Sequence, residues 1–591
     1  MLKNNFTWIV GGEAGFGINA SGLIFSKTLT RSGFHIFNYI EYPSLIRGGH
    51  NVYSIRVSNK EVFSQEKGID ILVALNKETF DLHKEDLKKD SFVLYDENQF
   101  KIDKQEVDKR KIIFLHVPLE DLVKKAGGIK LMTNNVALGA SIALLGLDLK
   151  PLFSVIEDNF VRKGQEIVDK NQKAAQAGYD YVRKNYQNRT IQVAKPKTQP
   201  EQKLVLTGNE AIALGVISGG CQFYAAYPMT PATSILHNLA AFAEKTNMVV
   251  KHAEDEISVI NMAIGASFAG VRSALATSGG GFALMQESVS LAGLTETPLV
   301  IIEVQRPGPA TGIPTWTEQA DLQFIIRSGH GDFPKIVLAP GDQEEAFYLT
   351  AQAFNLADVY QCPVFIVSDK YLAESHKSIE TKSYELKAKN YKLNRGKFLN
   401  NLTIKQSNHK TIKSYFRYKV TNDGISARAI PGMKNHLFQA NSYEHLENGH
   451  TTEDIKERIK QVDKRARKMK TFVKNHLPKP KVYGEKNADV TLVGWGSTKL
   501  PALQAILELQ APSYKLQANF LHLNYLWPFP KDEVVRVLKQ AKKTLLLEGN
   551  STAQLGQLIR QETGIEIKNK YLRYDGRPFY PKDIINKINN L

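Results

Sequence analysis

The chain has 591 residues, 42% of them hydrophobic and 23% charged, and its 77 Lys and Arg against 60 Asp and Glu give a net charge of +17. This length suggests roughly three to five domains. The longest apolar stretch, 136–147, is shorter than the roughly 20 residues that cross a membrane, and the N-terminus lacks the pattern of a signal peptide, so we expect a cytoplasmic protein without a membrane partner.

The cysteine count and the distribution of charge narrow the choice of partners. Two cysteines, Cys221 and Cys362, are too few for a disulfide framework or for an iron-sulfur cluster, which takes about four ligands. The excess charge is mostly Lys, spread over linkers and helix faces such as 456–474, without the interleaved aromatic residues of a base-stacking surface. We therefore expect these basic residues to form a solvated surface and not to bind nucleic acid. No set of metal ligands is evident.

Residues 1–190 alternate apolar strands with helical patterns, which predicts an α/β domain with a mostly parallel sheet. The predicted strands are 7–10, 35–41, 52–57, 70–75, 91–95 and 111–117. Gly12, Gly15 and Gly17 form a turn after the first strand and before a helix, where backbone amides can approach a phosphate. Close packing of strand on helix explains the same glycines equally simply.

A polar linker, 191–204, leads to a second predicted α/β domain at 205–370. Its strands are expected at 221–226, 249–252, 273–277, 299–304, 335–338 and 364–368. A less regular connecting segment with a basic helix occupies 371–485, and a third α/β domain is expected at 486–591. The fold class is therefore α/β, in three domains.

One acidic cluster, Glu254-Asp255-Glu256, stands directly before a helical run of small and apolar residues that includes Gly265. Small residues let such a helix pack closely against a neighbour. A carboxylate at the mouth of a dry, tightly packed site can share a proton with a heterocyclic nitrogen. An ordinary helix N-terminus, where acidic residues are favoured by the dipole, is the alternative.

Several long motifs resemble one family in its own order. YPMTP, EDEISVINMAIGASFAG, TSGGGFALMQE and RPGPATGIPTWTEQADL are similar to segments of the α subunits of 2-oxoacid:ferredoxin oxidoreductases, and EYPS followed by RGG is similar to the γ domain fused at their N-terminus. The resemblance implies a γ-type Rossmann-like domain, a pyrimidine-type domain of thiamine enzymes and a transketolase C-terminal-like domain.

The resemblance also implies roles for residues around a thiamine cofactor. Glu256, with Glu254 as the alternative, would bond the pyrimidine nitrogen and favour the imino tautomer that removes the thiazolium C2 proton. Tyr227 and Pro228 of YPMTP would also contact the cofactor. Arg47 of RGG, in a domain that lies near the coenzyme A path of the family, would meet a phosphate or a carboxylate, or else hold its own loop.

Three residues are expected to bind the 2-oxoacid. Arg306 would hold the substrate carboxylate with its planar guanidinium, and the hydroxyls of Thr230 and Thr315 would orient the substrate. The sequence departs from the family pattern at Met229, next to Thr230, and at Pro307 and Ala310, which follow Arg306. These departures leave the preferred 2-oxoacid open.

Half of a thiamine site is missing from the sequence, which has neither a GDG motif nor a CxxC pair. The resemblance therefore implies a β subunit that carries GDG, supplies the diphosphate site and Mg²⁺, and holds a [4Fe-4S] cluster. Thiamine diphosphate would be shared with that subunit, coenzyme A would be the co-substrate, and ferredoxin would accept electrons from an αβ heterodimer or (αβ)₂ heterotetramer.

The expected function is oxidative decarboxylation of a 2-oxoacid to acyl-CoA, with 2-oxoglutarate favoured because the motif RPGPATGIPTWTEQADL most resembles that branch. Pyruvate or a broad range of 2-oxoacids is the alternative substrate. A non-catalytic scaffold of the same fold, and a stand-alone coenzyme A or nucleotide-binding protein built on the glycine turn, are the alternative functions.

Overall fold

A computed structural model describes residues 4–45, 48–103, 110–187, 189–191, 193–194, 196, 203–382, 391–399 and 415–591. The chain divides into two compact units. The first comprises Met1–Thr207, Glu374–Glu385 and Tyr580–Asp583, and the second comprises Gly208–Ala373, Leu386–Phe579 and Ile584–Leu591. The predicted domain boundaries at 190, 204, 370 and 485 stay predictions.

The first unit is built on an eight-stranded sheet with the order β6-β5-β4-β1-β3-β2-β14-β7. Its strands are β1 (Asn5–Glu13), β2 (His35–Glu41), β3 (His50–Ser58), β4 (Ile69–Ala74), β5 (Leu87–Tyr95), β6 (Ile113–His116), β7 (Lys203–Thr207) and β14 (His376–Glu380). All six strands predicted in this region are confirmed.

The expectation of a mostly parallel sheet is wrong for this unit. Strands β1, β4, β5 and β6 pair in parallel, whereas β3, β2, β14 and β7 continue the sheet in antiparallel pairs. The physical reason is topological, because β2 turns directly into β3 without a crossover helix, and β14 arrives from more than 160 residues beyond β7. Helices of this unit are α1 (Ile18–Arg31), α2 (Lys77–His83), α3 (Leu119–Lys125), α4 (Thr133–Leu144), α5 (Lys150–Phe160) and α6 (Gln165–Asn185).

The second unit contains two sheets. A seven-stranded sheet has the order β18-β12-β13-β11-β10-β8-β9 and is parallel except for β18. Its strands are β8 (Phe223–Ala226), β9 (Val249–His252), β10 (Ser273–Thr277), β11 (Leu299–Gln305), β12 (Ile336–Leu338), β13 (Pro363–Asp369) and β18 (Tyr525–Trp527). The six strands predicted at 221–368 are confirmed.

A five-stranded sheet, ordered β15-β17-β16-β19-β20, lies in the same unit. It consists of β15 (Lys481–Gly484), β16 (Val490–Trp495), β17 (Ala518–Leu523), β19 (Thr544–Glu548) and β20 (Lys570–Leu572). Apolar residues of both sheets, including Phe365 and Trp495, belong to one buried cluster. The two sheets therefore share a hydrophobic core.

The remaining helices surround these two sheets. They are α7 (Gly208–Ser218), α8 (Thr233–Thr246), α9 (Glu256–Phe268), α10 (Gly279–Leu284), α11 (Gln286–Leu294), α12 (Leu322–Ile326), α13 (Gln343–Tyr360), α14 (Lys370–Glu374), α15 (Ile455–Asn475), α16 (Lys499–Leu509), α17 (Lys531–Gln540), α18 (Gln554–Thr563) and α19 (Pro581–Asn589). Across the described residues, no helix combines the length and apolarity that a membrane span requires. The cytoplasmic location stays a prediction.

Helix α15 corrects the expectation that its basic residues form a solvated face. Lys464 and Lys468 are fully buried, and their ammonium groups lie 2.5 and 2.6 Å from the two carboxylate oxygens of Glu296. Two of the basic residues of α15 therefore lie in the protein interior, where the buried carboxylate of Glu296 compensates their charge.

Candidate active site

The matched motifs converge on one edge of the seven-stranded sheet. Tyr227 follows β8, Glu254 follows β9, Ser278 follows β10 and Arg306 follows β11, each shortly after the carboxyl end of its strand. These strands run parallel, so their carboxyl ends lie along the same edge, where open α/β sheets bind ligands.

Glu256 is the first residue of α9, and the local sequence fixes its place. Asp255 caps the helix, because its carboxylate accepts a hydrogen bond of 2.7 Å from the Ser258 amide, and this bond lowers the pKa of Asp255. With Asp255 committed to the cap, the Glu256 side chain turns inward and is only 5% exposed. Glu254 stays at the surface, where it accepts a hydrogen bond from the Ser258 hydroxyl.

The niche around Glu256 is shaped by a glycine. A β-carbon placed on Gly281 would lie 2.7 Å from Glu256 Oε1 and 2.2 Å from Thr277 Oγ1. Only glycine lets the first turn of α10 come this close to the carboxylate. Among the residues that the structure describes, neither oxygen of Glu256 has a hydrogen-bond or ion-pair partner, so a group from outside the chain can occupy that place.

Thr230 and Arg306 are brought together by a direct contact. Arg306 donates a hydrogen bond of 2.7 Å from Nη1 to the Thr230 carbonyl oxygen. This is its only hydrogen bond within the described part of the chain, which leaves Nε and Nη2 available to a ligand. The side chain is half-buried, and burial lowers its pKa.

A chain of contacts links this pair to the Glu256 niche. Met229, the neighbour of Thr230, accepts a weak hydrogen bond from Thr277 Oγ1 at 3.9 Å, and Thr277 borders the niche. The predicted residues Glu256, Thr230 and Arg306 therefore belong to one connected region. No role was predicted for Thr277 or Gly281, although three consecutive glycines, 279–281, one residue after a strand were a usable signal.

Thr315 lies in the loop of residues 306–321, which we call the 306–321 loop. Its side chain is buried, and its hydroxyl has no hydrogen-bond partner among the described residues. A buried hydroxyl without a hydrogen-bond partner is costly, so a ligand that accepts a hydrogen bond from it would remove this cost.

The 306–321 loop is fastened at its far end. Gln319 donates to the Trp495 carbonyl oxygen at 3.1 Å and accepts from the Gly549 amide at 2.9 Å. The Arg577 guanidinium stacks on the Trp316 ring, 3.2 Å from its centroid. The loop is thus held by the five-stranded sheet and its connections while it carries Thr315.

Tyr227 and Pro228 do not enter the niche. Both are exposed, and the Tyr227 ring lies 6.3 Å from that of His252. Their predicted cofactor contact therefore needs a ligand that extends to the surface of this chain.

In the first unit, the glycine turn borders a separate cavity. Gly15 and Gly17 adopt positive φ of 97° and 70°, and Gly17 directly precedes α1. The expectation that Gly12 belongs to this turn is wrong, because β1 continues to Glu13 and Gly12 pairs with Asn51 of β3. A cavity of about 230 Å³ beside the turn is lined by residues that include Phe16, Asn76 and Asp96. Arg47 lies outside the described residues.

Comparisons with known proteins agree with this architecture. Three family models match consecutive parts of the chain: "Pyruvate ferredoxin/flavodoxin oxidoreductase" at 7–181, "Pyruvate flavodoxin/ferredoxin oxidoreductase, thiamine diP-bdg" at 214–464, and "Pyruvate:ferredoxin oxidoreductase core domain II" at 488–584. The class of protein is thus an oxidoreductase with a thiamine diphosphate-binding domain.

Relatives narrow the class to a family. The chain is 35% identical to a 2-oxoacid:ferredoxin oxidoreductase subunit alpha of Sulfolobus sp, covering 97% of this chain and 95% of the relative, and 33% identical to that of Saccharolobus solfataricus, covering 98% and 96%. The chain therefore belongs to the α subunits of the 2-oxoacid:ferredoxin oxidoreductase family.

Two further similarities concern 2-oxoglutarate. The chain is 31% identical to the 2-oxoglutarate synthase subunit KorA of Methanothermobacter marburgensis, over 66% of this chain and 98% of the relative. It also superposes on the 2-oxoglutarate:ferredoxin oxidoreductase from Magnetococcus marinus, solved with 2-oxoglutarate, coenzyme A and succinyl-CoA bound. The TM-score is 0.90, with 32% identity and coverage of 100% and 99%.

Proposed function

We propose that this chain is the catalytic α subunit, with a fused γ-type domain, of an enzyme that oxidatively decarboxylates 2-oxoglutarate to its acyl-CoA and CO₂ and passes the electrons to ferredoxin. The observation that carries the proposal is the Glu256 carboxylate, which has no partner among the described residues, packs against Gly281 and is connected through Thr277 and Met229 to the Thr230–Arg306 pair.

The residues present fit thiamine diphosphate. When bound, this cofactor supplies the carbanion that attacks the keto carbon of the 2-oxoacid and takes up the electrons left after CO₂ departs. Glu256 would hold the pyrimidine ring through its nitrogen and keep a proton there, since nothing else in the described chain occupies its oxygens. Tyr227 and Pro228 would cover the ring from the exposed side.

Arg306 would bind the carboxylate that leaves as CO₂. Its Nη1 is held by the Thr230 carbonyl, so the guanidinium plane is fixed and its other donors can engage a carboxylate bidentately. The Thr315 hydroxyl would donate to the substrate oxygen, and the Thr230 hydroxyl would orient the keto group. Burial of Thr315 makes that hydrogen bond stronger than one at the surface.

A β subunit would complete the site. No group of three or more His, Cys, Asp or Glu in the described residues can hold a metal ion, and the sequence lacks GDG and CxxC. The diphosphate site, Mg²⁺ and a [4Fe-4S] cluster are therefore assigned to that partner, in an αβ or (αβ)₂ assembly. Its docking surface would include the α9 face, defined here as the exposed residues Ile257, Asn261 and Gly265.

Coenzyme A would use the first unit in part. The turn at Gly15 and Gly17, which follows Gly12 at the end of β1, offers backbone amides to a phosphate at the start of α1, and the neighbouring cavity has room for part of a nucleotide. The Magnetococcus marinus relative, which has coenzyme A bound, supports the choice of co-substrate. Arg47 remains a proposed contact.

The choice of 2-oxoglutarate rests on the two similarities that concern that acid and on the motif RPGPATGIPTWTEQADL. Pyruvate is the second candidate, because all three family models name it. Pro307 and Ala310 lie where the family pattern differs, and Ala310 adopts a φ of 54°, so this part of the 306–321 loop is where substrate preference would be set.

The test is a reconstituted complex of this chain with its GDG-bearing partner. We expect reduction of a viologen dye that depends on thiamine diphosphate, coenzyme A and 2-oxoglutarate, with lower kcat/KM for pyruvate. Glu256→Gln is expected to lower kcat about 10²- to 10⁴-fold, whereas the neighbouring surface variant Glu254→Gln keeps the activity. Full activity of Glu256→Gln would refute the assignment, and an inactive wild-type complex on every 2-oxoacid would favour a non-catalytic scaffold.

A further inference from the structure

A buried pair of carboxyl groups lies behind the proposed site. Glu303 belongs to the central strand β11 and is fully buried, and no donor among the described residues hydrogen-bonds either of its oxygens. Asp321, the last residue of the 306–321 loop, lies within hydrogen-bond distance of the Glu303 carboxyl, so a proton on either group can bridge the two. Two ionised carboxylates in contact repel each other strongly in a dry interior, so the pair is stable when one proton lies between them.

The position of Asp321 is fixed by its backbone. Its amide donates a hydrogen bond of 3.0 Å to Gln305 Oε1, and the Gln305 amide group donates to the Ser368 carbonyl oxygen at 3.1 Å. Glu303 and Gln305 are two residues apart on one strand, so their side chains share a face of the sheet. The Asp321 backbone is therefore held on the same face of the sheet as the Glu303 side chain.

The same pair reaches the Glu256 niche. Glu303 is the register partner of Thr277 on the neighbouring strand β10, and Thr277 borders Gly281 and Glu256. A β-carbon placed on Gly279 would lie 2.5 Å from Asp321 Oδ2. Gly279 thus packs against Asp321, and Gly281 packs against Glu256.

We propose that Glu303 and Asp321 are positioning residues that share a single proton, and that this proton holds the end of the 306–321 loop against β11, next to Gly279 and Gly281. The catalytic consequence rests on the proposed function, because the loop carries Arg306 and Thr315. The shared proton itself does not depend on it.

The surroundings make loss of that proton costly. Burial first, and then Asp321 and Asp369 of β13, raise the pKa of Glu303 well above its usual range, so the proton resides on Glu303. Burial also raises the pKa of Asp369. Glu318 of the loop adds a further acid, because burial and the nearby Asp321 raise its pKa to about 7. Ionisation of Glu303 would leave adjacent negative charges at the loop end.

The sign of the pH effect follows from the raised pKa. The contribution of the pair to stability is fully present below the unfolded pKa of a glutamate, about 4.5, and is lost as pH rises through the folded pKa of Glu303. Glu303→Gln keeps a neutral donor to Asp321 at every pH. Its 306–321 loop should therefore resist alkaline pH better than that of the wild type.

Two readouts in the reconstituted complex do not require turnover. Difference infrared spectra of wild type minus Glu303→Gln should contain the carbonyl band of a protonated carboxylic acid at pH 7, which disappears on the alkaline side. Deuterium exchange of peptides covering 306–321, normalised to intrinsic rates, should accelerate with pH in the wild type and not in Glu303→Gln. The control Glu287→Gln, an exposed acid on α11, should behave as wild type.

Turnover tests the positioning role. We expect kcat/KM of the wild type to fall at alkaline pH, Glu303→Gln to retain it, and Glu303→Leu, which cannot donate, to lose about tenfold at all pH values. The proposal would be overturned if the infrared band were absent. It would also be overturned if the ratio of the wild-type kcat/KM to that of Glu303→Gln did not change with pH. A complex with the band and the exchange behaviour but no 2-oxoacid activity would refute the proposed function and leave the shared proton standing.

Discussion

Two buried glutamates of the second unit, Glu296 and Glu256, differ in whether a residue of the described chain pairs with their carboxylate. Glu296 is fully buried between Lys464 and Lys468, and its carbonyl oxygen accepts a hydrogen bond of 2.8 Å from Arg417. Glu256 is nearly as buried, yet no described residue pairs with it. The ion pairs indicate that Glu296 has a structural role and holds α15 in place. The carboxylate of Glu256 is available to a group that does not belong to this chain.

The comparison predicts its largest effect at Glu296. Burial opposes ionisation of this carboxyl, but Lys464 and Lys468 more than offset it and lower the pKa. Glu296→Gln leaves two buried lysines uncompensated and should reduce the free energy of unfolding by about 3–5 kcal/mol. Urea unfolding of the full chain measures this effect, with Glu256→Gln as the matched variant.

The matched variant Glu256→Gln should change the free energy of unfolding by less than about 0.5 kcal/mol.

The effect of Glu296 should depend on pH. Because the folded pKa of Glu296 is depressed, its contribution to the free energy of unfolding is present above the unfolded value of about 4.5 and is lost as pH falls below it. The difference between wild type and Glu296→Gln should therefore narrow in acid. Equal destabilisation by the two Gln variants would break the distinction between them.

Arg306 extends the comparison to a cation with spare donors. Arg306→Met should raise KM for the 2-oxoacid about 100-fold in the reconstituted complex, because a charge-assisted bidentate contact to the substrate is lost. Arg306→Lys keeps the positive charge but loses the two parallel donors of the guanidinium, so its KM should lie between those of the wild type and Arg306→Met. A KM that stays at the wild-type value in Arg306→Met would assign the guanidinium to holding Thr230 alone.

The smallest effect concerns the α9 face. A β-carbon on Gly265 meets no atom of the described residues within 4 Å, so Gly265→Ala should stabilise the isolated chain by up to about 1 kcal/mol through helix propensity. If the β subunit packs closely there, the same change should weaken the complex at least about tenfold. Calorimetric titration of the two subunits measures this, with Lys539→Ala on α17 as control. Unchanged affinity would move the interface elsewhere.

The sequence predicted the strands well and their pairing poorly. Buried parallel strands are continuous apolar runs, so 273–277 and 299–304 could be found locally. The antiparallel pairs that β14 forms with β2 and β7 join segments that lie far apart in the chain, and no local pattern encodes them.

The site could be predicted in part. Glu256, Thr230 and Arg306 stood in motifs, and the structure connects them. Thr277, Gly281 and the Glu303–Asp321 pair matter through contacts between distant segments, which spacing along the sequence does not reveal. Lys464 and Lys468 were expected at the surface because a basic helix reads as solvated when its buried counter-charge, Glu296, lies about 170 residues away.

The central claim is that Glu256 tunes the pyrimidine ring of bound thiamine diphosphate. The most direct measurement is the rate at which the thiazolium C2 proton exchanges with deuterium, followed by NMR in the complex with its β subunit. Glu256→Gln should slow this exchange by about 10²-fold or more while thiamine diphosphate remains bound. An exchange rate equal to that of the wild type would contradict the account.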